Sequence, residues 1–262
     1  MPPLPRERVD ACLIDLDGTI YFAGKEIPGA AAAVRRIREA GLPVAFATNT
    51  TRRPRSQLVE ELRDLGVEAQ AQEVFTAPVA AARWLSANEA RRVSLLIPEA
   101  THEEFSVFEI SDVRPQFVVV GDLGREWTFD RLNTAFRCLL DGARLIAIQR
   151  NRQWDAGTGP QLDAGPFVAA LEYASGREAV LVGKPSPAFF EQAAASLGVR
   201  KERLLVVGDG IETDVAGAQA AGCLGVAVRT GTFDEEKLPA LLMPPEAILD
   251  SIAGLAAWLG II

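Results

Sequence analysis

Histidine is nearly absent from this chain, since His102 is the only one among 262 residues. Nucleophile systems of the Ser-His-Asp or Cys-His kind would have to depend on that one residue. His102 follows Pro-Glu-Ala-Thr and precedes Glu-Glu, a pattern that predicts the exposed first turn of a helix and no chemical role. The scarcity of histidine therefore disfavours serine and cysteine hydrolases.

Cysteine is also rare. The three cysteines, Cys12, Cys138 and Cys223, are far apart, and no two of them form a CxxC pair. Their odd number and wide spacing predict reduced, mostly buried thiols and a cytoplasmic protein. Structural zinc is disfavoured for the same reason.

Basic residues and long apolar runs are in short supply as well. The chain has 27 basic and 35 acidic residues, a net charge of −8, which argues against a general affinity for nucleic acid. A small anionic substrate stays compatible with this charge if a divalent cation is bound. No run approaches the ~18 apolar residues of a membrane span, and the first residues lack the apolar region of a secretory signal. We expect neither a membrane nor a nucleic acid as partner.

The most informative feature that is present is a pair of acids, Asp15 and Asp17, at the end of an apolar run. Residues i and i+2 of a strand point to the same face, so both carboxylates are predicted to face one pocket. Like charges this close repel each other unless a cation or a shared proton compensates. The pair therefore predicts a metal site that combines a nucleophile with an acid/base.

The acid pair is also compatible in part with two other structures, a solvated turn and a calcium-binding loop. The acids alone also fit a solvated turn after a strand. A calcium-binding loop is partly matched, since Asp15, Asp17 and Glu26 occupy its positions 1, 3 and 12. However, Ile20 stands where that loop needs glycine, and a strand-like segment precedes it, so we reject the calcium loop.

Apolar runs typical of buried parallel strands alternate with helical patterns along the chain. Strands are predicted at 9–14, 44–48, 93–97, 117–121, 144–149, 179–183, 204–208 and 225–229. Helices are predicted at 29–40, 54–65, 77–87, 128–141, 164–175, 187–197, 213–221 and 246–259. The predicted fold class is α/β, with a doubly wound parallel sheet. Dinucleotide binding is disfavoured because no G-x-G-x-x-G follows the first strand.

Polar residues follow four of these predicted strands. Asp15 and Asp17 follow the first, Thr48-Asn49-Thr50 the second, Lys184 the run Ala-Val-Leu-Val-Gly, and Asp209 the run Leu-Leu-Val-Val-Gly. Ligands of such sheets bind beyond the carboxyl ends of the strands. We therefore expect these side chains to form one site for phosphate and metal.

A segment of about 100 residues interrupts this series and has the size of a domain. We predict a core domain from residues 1–79 and 179–262 and an inserted α/β cap domain from residues 80–178.

Four ordered motifs resemble those of the haloacid dehalogenase superfamily. They are Asp15-Leu-Asp-Gly-Thr19, Thr48-Asn49, Lys184-Pro185, and Gly208-Asp209 through Asp214. The longer forms Asp-Leu-Asp-Gly-Thr-Ile-Tyr and Val-Gly-Lys-Pro-Ser-Pro resemble subfamily IIA, the NagD-like branch with a C2-type cap. Within that branch, the segments Leu-Asp-Gly-Ala-Arg-Leu-Ile-Ala-Ile and Gly-Pro-Phe-Val-Ala-Ala-Leu-Glu-Tyr-Ala resemble the phospholysine phosphohistidine inorganic pyrophosphate phosphatase group. The resemblance covers roughly residues 9–259.

The resemblance implies a role for each acid. Asp15 would attack phosphorus and form an aspartyl-phosphate, and Asp17 would be the general acid and then the general base. Mg²⁺ would be held by Asp15, the main-chain carbonyl of Asp17 and Asp209. Asp214 would bind the cation through water or steady Lys184; an acid favoured at a helix N-terminus is its structural alternative.

The resemblance also implies how phosphate is bound. Thr48 and the backbone after it would bind the phosphoryl oxygens, and Asn49 would orient that group or its loop. Lys184 would neutralise the charge of Asp15 and of the transferring group.

Two features depart from the pattern of the family. Gly210 replaces the polar residue that often follows the first acid of the last motif, which predicts a looser loop, and Glu212 is a minor alternative to Asp214. In the cap, Arg152 is predicted to pair with a second anionic group of the substrate and Trp154 to stack on a ring or pack a leaving group. A solvated Arg152 and a Trp154 packed within the cap are equally compatible with the sequence.

The function that the resemblance implies is a Mg²⁺-dependent phosphatase acting on a small phosphorylated metabolite, pyrophosphate or an N–P compound. Homodimers formed through the cap are common in this branch. The rival functions are a phosphoaspartate signalling module and a catalytically weak scaffold of the same fold. Receiver modules are much shorter, and their phosphorylated aspartate lies on a middle strand rather than in the acid pair, so a phosphatase is favoured.

Overall fold

A computed structural model describes residues 6–155 and 159–261 of the chain. These residues form two compact units. The first takes the residues up to 48, then 55–75 and those from 184 onward; the second takes 49–54 and 76–183. Over the described ranges, no helix combines the length and the apolar character that crossing a bilayer demands.

The described strands are numbered in chain order. They are β1 (Ala11–Asp15), β2 (Tyr21–Phe22), β3 (Lys25–Glu26), β4 (Val44–Thr48), β5 (Val74–Thr76), β6 (Arg92–Leu96), β7 (Glu109–Ile110), β8 (Phe117–Val120), β9 (Arg144–Ala147), β10 (Gln153–Asp155), β11 (Pro160–Leu162), β12 (Val180–Leu181), β13 (Leu204–Gly208), β14 (Leu224–Val228) and β15 (Ala247–Leu249).

The α-helices are numbered in the same way. They are α1 (Ala30–Glu39), α2 (Arg55–Asp64), α3 (Ala77–Ala87), α4 (Phe129–Leu140), α5 (Ala164–Ser175), α6 (Pro187–Leu197), α7 (Gly217–Ala221) and α8 (Leu255–Trp258).

The sheet of the first unit has the strand order β15-β14-β13-β1-β4-β5. The pairs of β1 with β13 and β4 are parallel, as are those of β14 with β13 and β15. Every residue of β1, β4, β13 and β14 is buried, because both faces of a parallel sheet are covered. Helix α1 packs on this core through Ala30, Ala33, Val34 and Ile37, the spacing of one helical face.

The sheet of the second unit has the order β12-β9-β8-β6-β7, and all four pairs of neighbouring strands in it are parallel. Side chains alternate along β8, so Phe117 and Val119 join one apolar cluster while Val118 and Val120 join another. Both faces of this sheet are therefore buried too. Strands β10 and β11 form a separate antiparallel hairpin.

The predicted α/β class and most predicted strands agree with this structure, but the strand at 179–183 was assigned to the wrong sheet. Its observed part, β12, pairs with Ile146 and Ala147 of β9 in the second unit. The reason is that an apolar run reveals a strand but not its neighbour. Lys184, directly after this segment, belongs to the first unit.

Two predicted helices are also wrong in part. The helix at 246–259 is replaced by strand β15, a 3₁₀ turn at Ile252–Gly254 and the single turn α8. The run Ala-Ile-Leu forms a strand instead of a helix, because it pairs with Val226–Val228 at the edge of the sheet. The helix at 213–221 begins as a π-helix, Ile211–Ala216, before α7.

The remaining differences concern boundaries. The second unit begins at Thr76 and ends at Gly183, where the sequence suggested 80 and 178, and it also takes 49–54. The last segment belongs there because the Thr51 hydroxyl accepts from the Asp122 amide at 2.9 Å and its carbonyl accepts from Thr101. His102 lies half-buried within a 3₁₀ helix, Glu99–Phe105, rather than exposed in a first turn.

Candidate active site

Three site residues come from the carboxyl edge of the first sheet. Asp15 ends β1 and lies opposite Ala47 of β4, so Thr48 is one residue further on. On the other side of β1, Ile14 pairs with Val207, which brings Asp209 to the same edge. Asp15, Thr48 and Asp209 are all buried. Parallel register thus places residues far apart in the sequence at one edge.

Asp17 lies outside the strand. Strand β1 ends at Asp15, and Asp17 is exposed in the turn that follows, where it forms an isolated bridge with Tyr21. The alternation of side chains along a strand therefore does not extend to Asp17 and does not place both carboxylates on one face. The two acids instead differ in environment, one buried and one exposed.

Lys184 is the buried cation of this site. Its side chain is 3% exposed, and its Nζ donates to Asp15 Oδ1 at 2.6 Å and to Asp214 Oδ1 at 2.7 Å. Burial works to lower the pKa of the lysine, but the charges of Asp15 and Asp214 outweigh it and raise that pKa. The ammonium therefore stays charged at neutral pH.

Burial acts in the opposite direction on the carboxylates of Asp15 and Asp209, since it raises their pKa instead of lowering it. Burial raises the pKa of Asp15 well above its usual range; Lys184 opposes this shift, while Asp214 and Asp209 add to it. Burial, followed by the charge of Asp214, also raises the pKa of Asp209. Both shifts have the same origin, since desolvation and neighbouring negative charge disfavour an ionised acid.

The arrangement fits a hard divalent cation. Asp15, Asp209 and Asp214 each offer a carboxylate oxygen, and these oxygens lie within 4.8 Å of one another. When all three acids are ionised, they face one ammonium with an excess of two negative charges, which one divalent cation would neutralise. Mg²⁺ prefers oxygen donors of this kind.

The two acids of the last motif are held differently. Asp214 accepts from Lys184 through Oδ1 and from the Gly210 amide through Oδ2, at 3.0 Å. Asp209 accepts at Oδ2 from the Thr232 amide and hydroxyl, at 2.6 and 2.8 Å. Within residues 6–155 and 159–261, Oδ1 of Asp209 accepts no hydrogen bond. Asp209 thus has an oxygen available to a cation, whereas Asp214 has both oxygens engaged.

The expected looser loop at Gly210 is not what the structure has. A Cβ at this position would collide with the Thr213 hydroxyl, and the Gly210 amide is bonded to Asp214. Glycine therefore tightens the loop. Glu212, the minor alternative to Asp214, is exposed and pairs with Lys237 at 2.8 Å. It is not one of the three clustered acids.

Three more predicted residues belong to the second unit. Asn49 lies against the backbone of Gly183. Arg152 is exposed, and Trp154 is half-buried beneath the guanidinium of Arg52, whose carbon lies 4.7 Å from the ring centroid. Arg52 in turn pairs with Asp122 at 2.6 Å. Trp154 therefore contacts Arg52 of its own unit.

Thr230 and Thr232, which were not predicted as site residues, also contact this edge. Thr230 Oγ1 donates to the Gly18 carbonyl at 2.5 Å, and Thr232 binds Asp209 as described. Both follow β14. Polar residues directly after predicted strands indicated the other site residues, and the same criterion at this strand would have indicated these two.

Comparison with known proteins identifies the family. Residues 12–111 match the haloacid dehalogenase-like hydrolase family, and residues 181–255 match a second family described as HAD-hydrolase-like. Human haloacid dehalogenase-like hydrolase domain-containing protein 2 is 40% identical over 231 residues, 87% of this chain and 88% of its own length. The chain belongs to the haloacid dehalogenase-like hydrolases. The human phospholysine phosphohistidine inorganic pyrophosphate phosphatase is 37% identical over 86% of this chain and 84% of its own length.

Solved structures place this hydrolase in the NagD-like branch. The p-nitrophenyl phosphatase from Archaeoglobus fulgidus has a TM-score of 0.88 at 31% identity and covers 95% of this chain and 98% of its own. NagD from E. coli K-12 has a TM-score of 0.87 at 28% identity, with coverages of 94% and 97%. The protein is therefore a phosphatase of this family, with an α/β core and a cap.

The crowding of carboxylates leads to a prediction for Asp209→Asn. We expect the metal-free variant to melt about 2–4 °C higher than the wild type at neutral pH, the effect of about 1 kcal/mol in a domain of this size. Because the folded-state pKa of Asp209 is raised, stability falls as pH rises from the ordinary carboxyl pKa to the raised one. The gain should therefore vanish in acid. We also expect Mg²⁺ to raise the melting temperature of the wild type but not that of the variant.

Thermal melting with and without Mg²⁺, in neutral and acid buffers, measures both effects. The matched control is Asp64→Asn on an exposed position of α2, which should change the melting temperature by less than about 1 °C. A metal-free Asp209→Asn that melts below the wild type at neutral pH would contradict the repulsion argument.

Proposed function

We propose that this phosphatase hydrolyses a small phosphorylated metabolite, pyrophosphate or an N–P compound, with Asp15 as nucleophile and Mg²⁺ as cofactor. The observation that carries the proposal is the buried contact of Lys184 with Asp15, beside Asp209 and Asp214. A carboxylate paired with an ammonium at the edge of a parallel sheet is suited to attack phosphorus while the charge of the phosphoryl group is neutralised.

The first half-reaction transfers the phosphoryl group to the protein. A carboxylate oxygen of Asp15 forms a bond to phosphorus, and the bond from phosphorus to the leaving atom breaks. Asp17, as the acid, gives its proton to the leaving atom. The exposed position of Asp17, two residues after the buried Asp15, supports this division of roles. The products are an aspartyl-phosphate on residue 15 and the dephosphorylated leaving group.

The second half-reaction releases phosphate. The Asp17 carboxylate takes a proton from water, the water oxygen bonds to phosphorus, and the bond from phosphorus to Asp15 breaks. Inorganic phosphate leaves, and both carboxyl groups return to their starting states. One aspartate thus serves as acid and then as base, which needs no histidine.

Charge and position complete the proposal. Lys184 neutralises Asp15 and the phosphoryl oxygens, and Thr48 and Asn49 bind or orient that group. Asp15, Asp209 and the main-chain carbonyl of Asp17 would hold Mg²⁺, with Asp214 steadying Lys184 or acting through water. When bound, the cation supplies Lewis-acid stabilisation of charge on phosphoryl oxygens.

The substrate class rests on the relatives. The human relative at 37% identity is named for phospholysine, phosphohistidine and pyrophosphate, and the archaeal neighbour for p-nitrophenyl phosphate. We propose that residues of the cap, including Arg152 and Trp154, select among such compounds.

Asp15→Asn tests the nucleophile. We expect p-nitrophenyl phosphate hydrolysis by the wild type to require Mg²⁺ and to fall by more than about 10⁴-fold in this variant, since an amide cannot form the acyl phosphate. Release of p-nitrophenol with and without a chelator is the measurement. The control is Asp10→Asn, just before the same strand, where the acid pairs with Arg203 instead; it should keep wild-type turnover. Turnover that persists in chelator or in Asp15→Asn would refute the mechanism.

Asp17→Asn tests the acid/base. An asparagine can neither give nor take the proton, so kcat should fall by about 10²–10⁴-fold. Binding of vanadate, followed by calorimetry, should be largely kept because Asp15 and Lys184 are intact. Near wild-type turnover would mean that another group transfers the proton.

Arg152→Ala and Trp154→Ala test the origin of selectivity. We expect each variant to lower kcat/KM for the best substrate of a phosphate panel by roughly tenfold, with little change for p-nitrophenyl phosphate. Tenfold is about the value of one charge-assisted bond for Arg152 and of one aromatic contact for Trp154. The panel includes pyrophosphate and phospholysine. Arg150→Ala, an exposed arginine of the same unit paired with Glu172, is the matched control. Equal losses on every substrate would count against a role in specificity.

A further inference from the structure

The loop Thr230-Gly231-Thr232, which follows β14, contacts one oxygen of Asp209. The amide and the hydroxyl of Thr232 both donate to Oδ2, at 2.6 and 2.8 Å. An oxygen that accepts two convergent bonds fixes the rotation of its carboxylate. The other oxygen, Oδ1, is thereby held in one direction.

The backbone of two glycines, Gly18 and Gly231, lies against the same oxygen, Oδ2 of Asp209. A Cβ at Gly231 or at Gly18 would lie well inside van der Waals contact with Asp209 Oδ2. Both glycines also have positive φ, +60° and +89°, which side chains rarely adopt. The backbone therefore approaches Asp209 from two sides as closely as it can, which leaves this carboxylate little room to turn.

The same loop also holds the turn after the first acid pair. Thr230 Oγ1 donates to the Gly18 carbonyl at 2.5 Å, and Gly18 follows Asp17 directly. One loop thus contacts two elements that the proposed function assigns to the cation, the carboxylate of Asp209 and the turn that begins at Asp17.

We propose that Thr230-Gly231-Thr232 is a positioning loop for the divalent cation, in which the Thr232 hydroxyl aims Asp209 and Thr230 fixes the turn after Asp17. The inference rests on the proposed function. Hydrogen bonds to a ligating carboxylate orient it and raise metal affinity. Thr232 is exposed, so its hydroxyl adds little to the packing of the core, and its contact with Asp209 is what its removal changes.

The test compares three variants in Mn²⁺ binding, followed by the electron paramagnetic resonance signal of the free ion. Mn²⁺ takes oxygen ligands like those of Mg²⁺. Thr232→Val removes the hydroxyl at constant shape and should weaken binding by about tenfold, near the lower end for such partners because the amide bond stays. Thr232→Ser restores the hydroxyl and should bind within about twofold of the wild type, as the same bond is remade.

Thr128→Val is the matched control. Its hydroxyl accepts from the Arg131 amide at the start of α4 in the other unit, so the variant should melt about 2–4 °C lower than the wild type and keep its Mn²⁺ affinity. In activity assays, Thr232→Val should need about tenfold more Mg²⁺ for half-activation and reach nearly the wild-type kcat at saturation.

The outcomes separate the inference from the proposed function. Wild-type Mn²⁺ affinity in Thr232→Val, with an active wild type, would overturn the positioning loop and leave the phosphatase mechanism intact. Absence of Mn²⁺ binding in the wild type, or an active Asp15→Asn, would remove the proposed function and the inference with it. Thr232→Ala is a second variant without the hydroxyl. If both it and Thr232→Val failed to fold, the hydroxyl would be structural and the inference would be wrong.

Discussion

The contact of the Lys184 ammonium with Asp15 and Asp214 is the interaction on which the site depends. Its partners lie 169 and 30 residues away in the sequence, so the cluster exists only once β1, the segment at Lys184 and the turn after β13 have come together. Breaking a buried ion pair leaves an uncompensated charge, which costs far more than the pair itself contributes. The same lysine therefore links the folding of the first unit to the charge balance that phosphoryl transfer needs.

Local hydrogen bonding divides the acids among different tasks. Asp214 has both oxygens engaged, by Lys184 and by the Gly210 amide, and is suited to hold the lysine. Asp209 has one oxygen, Oδ2, fixed by Thr232, and a carboxylate oxygen within 4.8 Å of those of Asp15 and Asp214. Residue type alone does not separate two aspartates five positions apart. The difference between their roles depends on the tight turn that Gly210 permits at Asp214 and on the loop after β14 that binds Asp209.

The sequence predicted the elements of the fold better than their arrangement. Continuous apolar runs identified β1, β4, β13 and β14 because strands buried on both faces need such runs. They do not reveal which sheet a strand joins, since pairing is decided by long-range packing, and β12 was therefore assigned to the wrong sheet. The run at β15 was predicted as a helix because a short apolar segment fits the helical period and the strand period equally well. In the site, Asp15, Lys184, Asp209 and Asp214 came together as predicted, while the exposed position of Asp17 followed from where β1 ends.

Three buried carboxylates beside one ammonium break the rule that buried charges are matched one to one. Burial and mutual repulsion raise the pKa of Asp15 and Asp209, so the metal-free site is held at a cost. Natural sequences tolerate such local conflicts chiefly at functional sites. The proposed divalent cation would remove the conflict, because it would supply the two missing charges and take the carboxylate oxygens as ligands. Cation affinity and the repulsion within the metal-free cluster would then have one origin, the crowding of the carboxylates. The Thr232 hydroxyl acts on Asp209 with and without the cation, because its hydrogen bond opposes the rise in the pKa of that acid and fixes the direction of its carboxylate.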